Sequence, residues 1–169
     1  VIAFDDQFGD FSSERLNFSI VNESDANELH AMTNDPAIID VISFLDHPFT
    51  LADCCSLINR FSTSTDRVFV GRTKKGRTMV SLIGAHLADN QRVEIGYWVG
   101  SVHQGNGYGF EAGLAIIGHL GRVVPELELF AECASENVPS WQLLEKLGFQ
   151  ATGKQGARTG RKLLTYNYN

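Results

Sequence analysis

No stretch of this 169-residue sequence stays apolar for the roughly 18 residues that a membrane-spanning helix needs, so the chain reads as one that does not cross a bilayer. Cysteine is scarce. Cys54 and Cys55 are adjacent and Cys133 stands alone, which makes no disulfide framework and suits a reducing, cytoplasmic setting. There is no C-x-x-C, and His30, His47, His86, His103 and His119 offer no pair at ligand spacing, so no metal site is expected. Basic residues are few as well: 14 Lys and Arg against 20 Asp and Glu leave a net charge of −6. Only Lys74-Lys75 and Arg161-Lys162 sit side by side. Phosphate backbones are held by clustered cations, which excludes nucleic acid as the main partner. The acidic balance suits a cationic ligand, or serves solubility alone. The opening VIAFDDQFGD is acidic where a secretory signal would be basic. It reads as an N-terminal extension over residues 1–12, ahead of a single domain over 13–169.

With 43% apolar and 20% charged residues, the rest has the composition of an ordinary globular domain, long enough to bury a core without staples. ERLNFSIV (14–21) alternates Leu16, Phe18 and Ile20 with polar residues, the period of a half-buried strand. A helix follows, with Asp25 and Glu28 placed as a capping box and Pro36 beyond its end. A second box, Thr50 with Asp53, precedes Leu51, Cys54, Cys55, Ile58 and Phe61 at helical spacing. Three strand-like runs at 67–73, 77–88 and 92–100, joined by KKG and DNQ turns, predict an antiparallel meander. Phe110, Leu114, Ile117 and Leu120 then mark one face of a helix that ends before Pro125. A strand over 126–133, a helix over 135–149 and strands near 149–154 and 161–168 complete an α+β chain. In that last helix Asn137 suits the cap, Pro139 the first turn and Gly148 the C′ position.

The segment that carries chemistry is HQGNGYGFE (103–111), where Gly105, Gly107 and Gly109 alternate just ahead of a helix. Glycine inside a helix costs about 1 kcal/mol relative to alanine, so a compensating use is implied. The first turn of a helix has four N–H groups without internal partners and a partial positive charge. A loop stripped of side chains can aim those donors at a phosphate or pyrophosphate. A tight strand-to-helix turn with no ligand is the alternative. The dinucleotide fingerprint fails, because its third glycine position is Phe110, and a P-loop would need a following GK[ST].

Gln104-Gly105-Asn106-Gly107-Tyr108-Gly109 resembles the Q/R-x-x-G-x-G/A signature of the GNAT acetyltransferases. Asn137-Val138-Pro139-Ser140, continued by Glu145-Lys146-Leu147-Gly148-Phe149, is similar to that family's second motif. Ser13-Glu14-Arg15-Leu16 and Glu94-Ile95-Gly96-Tyr97-Trp98 look like its Rim-type, ribosomal-protein-acetylating branch. The resemblance covers the chain from about residue 12. It implies a GNAT-like fold: a mixed, mostly antiparallel sheet with flanking helices, split by a bulge at Gly96. It implies acetyl-CoA as cosubstrate, with its pyrophosphate on Gln104 to Gly109. The pantetheine arm would lie along the strand edge at Trp98 and Val99, where a backbone N–H would stabilise the oxyanion.

The implied reaction moves acetyl to a primary amine by direct attack in a ternary complex. The acceptor would be a protein N-terminus or a small cationic amine, and a homodimer is compatible with this. An ammonium has no lone pair, so a base must act. Glu94, two residues before Gly96, is the candidate, its carboxyl made more basic by low polarity; a solvent-facing strand residue is the alternative. The family's usual acidic Tyr is replaced by Leu144, and the Rim-like branch points to Ser140 instead. Asn137 shares a helix face with Ser140, and serves as cap, cofactor contact or both. Tyr97 and Trp141 either line the acceptor groove or pack. From another class, an acyl-CoA-binding module of the same fold that does not turn over also fits the missing Tyr.

Overall fold

The computed structural model describes residues 8–168 apart from Ser43 and Asn90. Eight strands form one sheet in the order β1-β2-β3-β4-β5-β6-β8-β7. They are β1 Phe11–Ser12, β2 Leu16–Ile20, β3 Arg67–Thr73, β4 Met79–Leu87, β5 Arg92–Val99, β6 Glu128–Ala134, β7 Gln150–Gln155 and β8 Arg161–Tyr166. All neighbours are antiparallel except β5 and β6, whose parallel pairing needs the crossover that the glycine-led helix supplies. Five α-helices flank the sheet: α1 Ala26–Thr33, α2 Pro36–Ile39, α3 Leu51–Thr63, α4 Tyr108–Val123 and α5 Val138–Leu147. None of the helices described is long and apolar enough to cross a membrane.

Strand alternation sends side chains to two cores. On one face Phe69, Ile83, Ala85, Val93 and Ile95 pack with Ile116 and Leu120 of α4 and Leu144 and Leu147 of α5. On the other, Val68, Val70 and Leu82 pack with Leu29 of α1 and Leu57, Ile58 and Phe61 of α3. The meander runs as its periodicity predicts. Phe8 is buried and Phe11–Ser12 pairs with β2, so residues 8–12 of the expected extension lie against the core; 1–7 fall outside the described residues.

Several local expectations change. The first capping box is Asn22 with Asp25, on a 3-10 turn, and Asp25 makes no side-chain cap for α1. Pro36 opens α2 rather than trailing α1, because Asp35 caps the Ala37 N–H and Pro tolerates the first helical turn. The Thr50–Asp53 box forms as read, but Leu51, Cys55 and Leu114 face solvent. Nor is there a bulge at Gly96. The β4–β5 register is unbroken from Leu87↔Val93 to Ser81↔Val99. The sheet parts because β5 pairs with β6 only over Arg92 to Glu94, after which β6 follows β8 alone. From Ile95 onward the far edge of β5 has no strand neighbour among the described residues.

A clip fixes the start of α4 to the start of β2. Glu111 accepts bonds from the Ser13 hydroxyl (2.6 Å), the Arg15 N–H (2.7 Å) and the Arg15 guanidinium (2.6 Å). Burial pushes the Glu111 carboxyl up, but these donors outweigh it and hold it below the ordinary glutamate range. A depressed carboxyl stabilises the fold above its unfolded-state pKa of about 4.3, and this stabilisation is lost as pH falls through the folded value. Glu111→Gln should therefore cost on the order of 1 kcal/mol at neutral pH. It should also show a smaller further loss below about pH 4 than the wild type; thermal unfolding across that range measures both.

Candidate active site

The glycine loop leaves the end of β5 through a 3-10 turn at Ser101–His103. Gly105 and Gly107 sit at φ +75° and +80°, in the left-handed region that side chains resist. Gly109 is glycine for another reason. Its backbone is helical, and a Cβ there would come within 3.0 Å of Leu143 on α5. Two glycines turn the chain and the third lets α5 approach. The first bond inside α4 runs from the Glu111 N–H to the Gly107 carbonyl (3.0 Å). The N–H groups of Gly107, Tyr108, Gly109 and Phe110 therefore have no backbone partner among the described residues, as expected of a first turn.

Other groups around the loop do different work from that expected. The Gln104 amide donates to the Val99 carbonyl (3.1 Å), tying the loop to the strand end. The Asn106 amide bonds the carbonyls of His103 (3.2 Å) and Gln104 (3.1 Å) and so braces the turn from within. Arg15 donates to the Asn106 carbonyl (3.1 Å) and lies 4.6 Å over the Tyr108 ring, bringing a half-exposed cation to the loop. Sequence reasoning missed Arg15 in this role; its only signal was its place in the first strand motif.

Beyond the loop runs the unpaired edge of β5. Trp98 turns its side chain away from that edge and donates from Nε1 to Thr33 Oγ1 of α1 (3.1 Å). Its own N–H and C=O point to Leu82 on β4, contrary to expectation, so the backbone that the open edge presents is that of Ile95, Tyr97 and Val99. Across the gap, Asn137 caps α5 by accepting the Ser140 N–H (3.4 Å). Tyr97 reaches over from β5, its hydroxyl 3.0 Å from Ser140 Oγ, so a tyrosine stands at this serine although Leu144 is buried where the family pattern has one. Burial pushes the Tyr97 hydroxyl up to about 12, more than the bond from Ser140 lowers it. Trp141 packs beside the same core and bonds Glu145 (2.9 Å). Tyr97 and Trp141 thus pack on the α4–α5 face of the sheet. Cys133 is buried and its thiol is pushed up by that burial, which makes it inert packing.

Glu94 projects on the α3 side of the sheet, with Gly96 and Trp98. Its environment is not apolar. The Arg158 guanidinium, from the β7–β8 loop, pairs with its carboxylate and also with buried Glu132 (3.0 Å). Glu132 further accepts the N–H groups of Ala157 (2.5 Å) and Arg158 (3.1 Å), which pins that loop. Nothing in GARTGRK announced this, because the ion pairs join residues far apart in the chain.

The geometry has counterparts. A curated relative, the uncharacterized N-acetyltransferase p20 of Bacillus licheniformis, is 29% identical over 148 residues, covering 83% of this chain and 82% of that one. Among solved structures, a GNAT-family acetyltransferase from Bacillus anthracis superposes with a TM-score of 0.80 at 21% identity, over 93% of this chain and 96% of that one. A spermidine N-acetyltransferase from Vibrio cholerae, solved with CoA and spermine, gives 0.74 at 16% identity over 89% and 93%. Residues 15–150 match the model of the acetyltransferase (GNAT) domain. The chain belongs to the GNAT family and is an acetyl-CoA-dependent N-acetyltransferase.

Proposed function

We propose that the chain acetylates a primary amine carried by a cationic small molecule or a protein N-terminus, by direct attack on acetyl-CoA in a ternary complex. The observation that carries this reading is the continuity of two bare backbone surfaces. The unpaired edge of β5 runs, through the 3-10 turn, into the free N–H groups at the start of α4. An extended arm ending in a diphosphate fits such a track. The arm would add to the sheet as a strand does, and the diphosphate would meet helix N–H groups beside Arg15.

In this reading Tyr97 and Val99 offer backbone to the pantetheine while Trp98 keeps the strand on β4, and one N–H of that edge stabilises the oxyanion. Gly105 to Gly109 hold the pyrophosphate, with Gln104 and Asn106 keeping the loop in shape. Glu94 draws the incoming ammonium and readies it to lose a proton. Ser140, backed by Tyr97, hydrogen-bonds the departing sulfur. The net charge of −6 favours a cationic acceptor. Support also comes from the V. cholerae neighbour, which was solved with a polyamine. The Rim-type motifs at the second and fifth strands keep a protein N-terminus in the same class.

Three variants test the assignment against thiol release and calorimetry. Glu94→Gln should lower turnover about 100-fold or more with acetyl-CoA affinity unchanged; full turnover would remove Glu94 from the reaction. Gly107→Val should do the opposite. A β-branched residue at φ +80° is strained and screens the N–H groups, so acetyl-CoA affinity should fall about tenfold or more; undiminished affinity would count against the pyrophosphate site. Tyr97→Phe leaves the ring and removes the hydroxyl. It should slow turnover by about tenfold, the worth of one lost hydrogen bond, and an unaltered rate would make Tyr97 simple packing.

A further inference from the structure

The acetyl transfer proposed above leaves a proton on the amine nitrogen, and the residue two strand positions before Gly96 is poorly placed to keep it. Glu94 already faces Arg158, which Glu132 holds in place. A proton on Glu94 would leave that guanidinium beside a neutral carboxyl. Directly opposite Glu94 on β4 stands His86. Its Nδ1 lies 3.2 Å from Asp66 Oδ2, at the entry to β3. Burial pushes the Asp66 carboxyl up, but its pairing with His86 outweighs this and holds it below the ordinary aspartate range, so Asp66 is a carboxylate. A carboxylate accepts only from an N–H, which places a proton on Nδ1 and turns Nε2 away from Asp66.

The ring lies where it does because two residues have no side chain. A Cβ on Gly84 would fall 2.5 Å from Nε2, and one on Gly96 would fall 3.5 Å from it. The imidazole thus lies along β4 toward β5, over Gly84 and beside Gly96 on the unpaired stretch of β5. Its side chain is 32% exposed, enough for an amine to reach it and for solvent to carry the proton off. No described residue bonds Nε2. The charged groups that face the ring are Asp66 from the start of β3, Glu94 from β5 with Arg158 behind it, and, from α3, Arg60, which acts on Asp66 while the Phe61 ring lies 6.3 Å from the imidazole.

From this geometry we infer that His86, oriented by Asp66, is the base of the transfer, with Glu94 as the anchor for the ammonium. The ammonium held by Glu94 first loses one proton to water; an N–H proton of the neutral amine then passes to Nε2 as the nitrogen lone pair forms the new N–C bond at the thioester carbonyl. The C–S bond then breaks, its electron pair leaves on sulfur, and the imidazolium returns its proton to water. The charge balance favours this route over Glu94. The imidazolium forms against an existing carboxylate, the arrangement that serves the base in a Ser-His-Asp triad.

The test uses acetyl-CoA with two acceptors of different kind, spermidine and a serine-initiated peptide. With whichever is turned over, His86→Ala should lower the rate about 100-fold or more and leave calorimetric affinity for acetyl-CoA unchanged. Imidazole added to the buffer should restore turnover in His86→Ala but not in Glu94→Gln. Wild-type rates in His86→Ala, or a deficit that imidazole does not relieve, would overturn the role. Gly84→Ala, which displaces the ring without removing it, should reproduce the loss in a folded protein; normal turnover there would also count against it. Silence of the wild type with both amines would overturn the acceptor class proposed above. The nitrogen-15 spectrum of His86 in the same protein would then still decide the dyad: protonated Nδ1 with bare Nε2 supports it, and protonated Nε2 sinks it.

Discussion

The proposed site depends on two parallel strands losing each other. β5 and β6 pair over Arg92–Glu94 against Glu128–Phe130 and then separate. An unpaired edge is ordinarily a hazard, because its N–H and C=O groups template association with other chains. Here the exposed run is short, its last carbonyl is taken by Gln104, and the side of the gap is filled by Tyr97 reaching to Ser140 on α5. What remains is a slot with backbone donors on one wall and a helix cap on the other. A separation made this way differs from one made by a bulge. No extra residue is spent, β5 keeps its full register with β4, and the inward and outward alternation of Glu94, Gly96 and Trp98 is preserved along the whole strand.

That alternation divides the labour. Residues of β5 with odd numbers look toward α4 and α5, where the cosubstrate's sulfur would lie; those with even numbers look toward α3. In the proposed reaction, nucleophile and leaving group would therefore be served from opposite faces of one strand. The acidic groups of the α3 face are stabilised in different ways. Asp66 is matched by an imidazole, and buried Glu132 by a guanidinium and two backbone N–H groups. A buried carboxylate with fewer partners would cost several kcal/mol. The Arg158 loop is held by that need, and its position against Glu94 follows from it.

Periodicity made most of the fold legible. The meander, the cap at Asn137, the C′ glycine at Gly148 and the Thr50–Asp53 box are all local, and local rules recover them. The expected bulge was misjudged, since a glycine in a strand is also explained by a neighbour's ring lying over it, as His86 does over Gly84 and Gly96. That contact joins two strands and has no sequence period. The glycine loop was read correctly as a turn into a helix, but as three equivalent gaps; only Gly105 and Gly107 need positive φ, while Gly109 answers to Leu143 on another helix. Arg15, Asp66, Arg158 and Tyr97 share the same obscurity. Each acts on a residue brought close by the topology, and single-sequence spacing carries no trace of such pairs.

The leaving side of the proposed reaction can be reasoned from Tyr97. With its hydroxyl pushed up to about 12 by burial, it is neutral at any ordinary working pH. A group so reluctant to ionise is a dependable hydrogen-bond donor and a poor proton donor to a thiolate, which is much the weaker base. Ser140 is more reluctant still. The pair therefore suits stabilisation of the sulfur by hydrogen bonding, with the thiolate taking its proton later from solvent. On this account the difficult proton is the one on the amine, and it would be handled on the α3 face, where His86 lies opposite Glu94 and against Asp66.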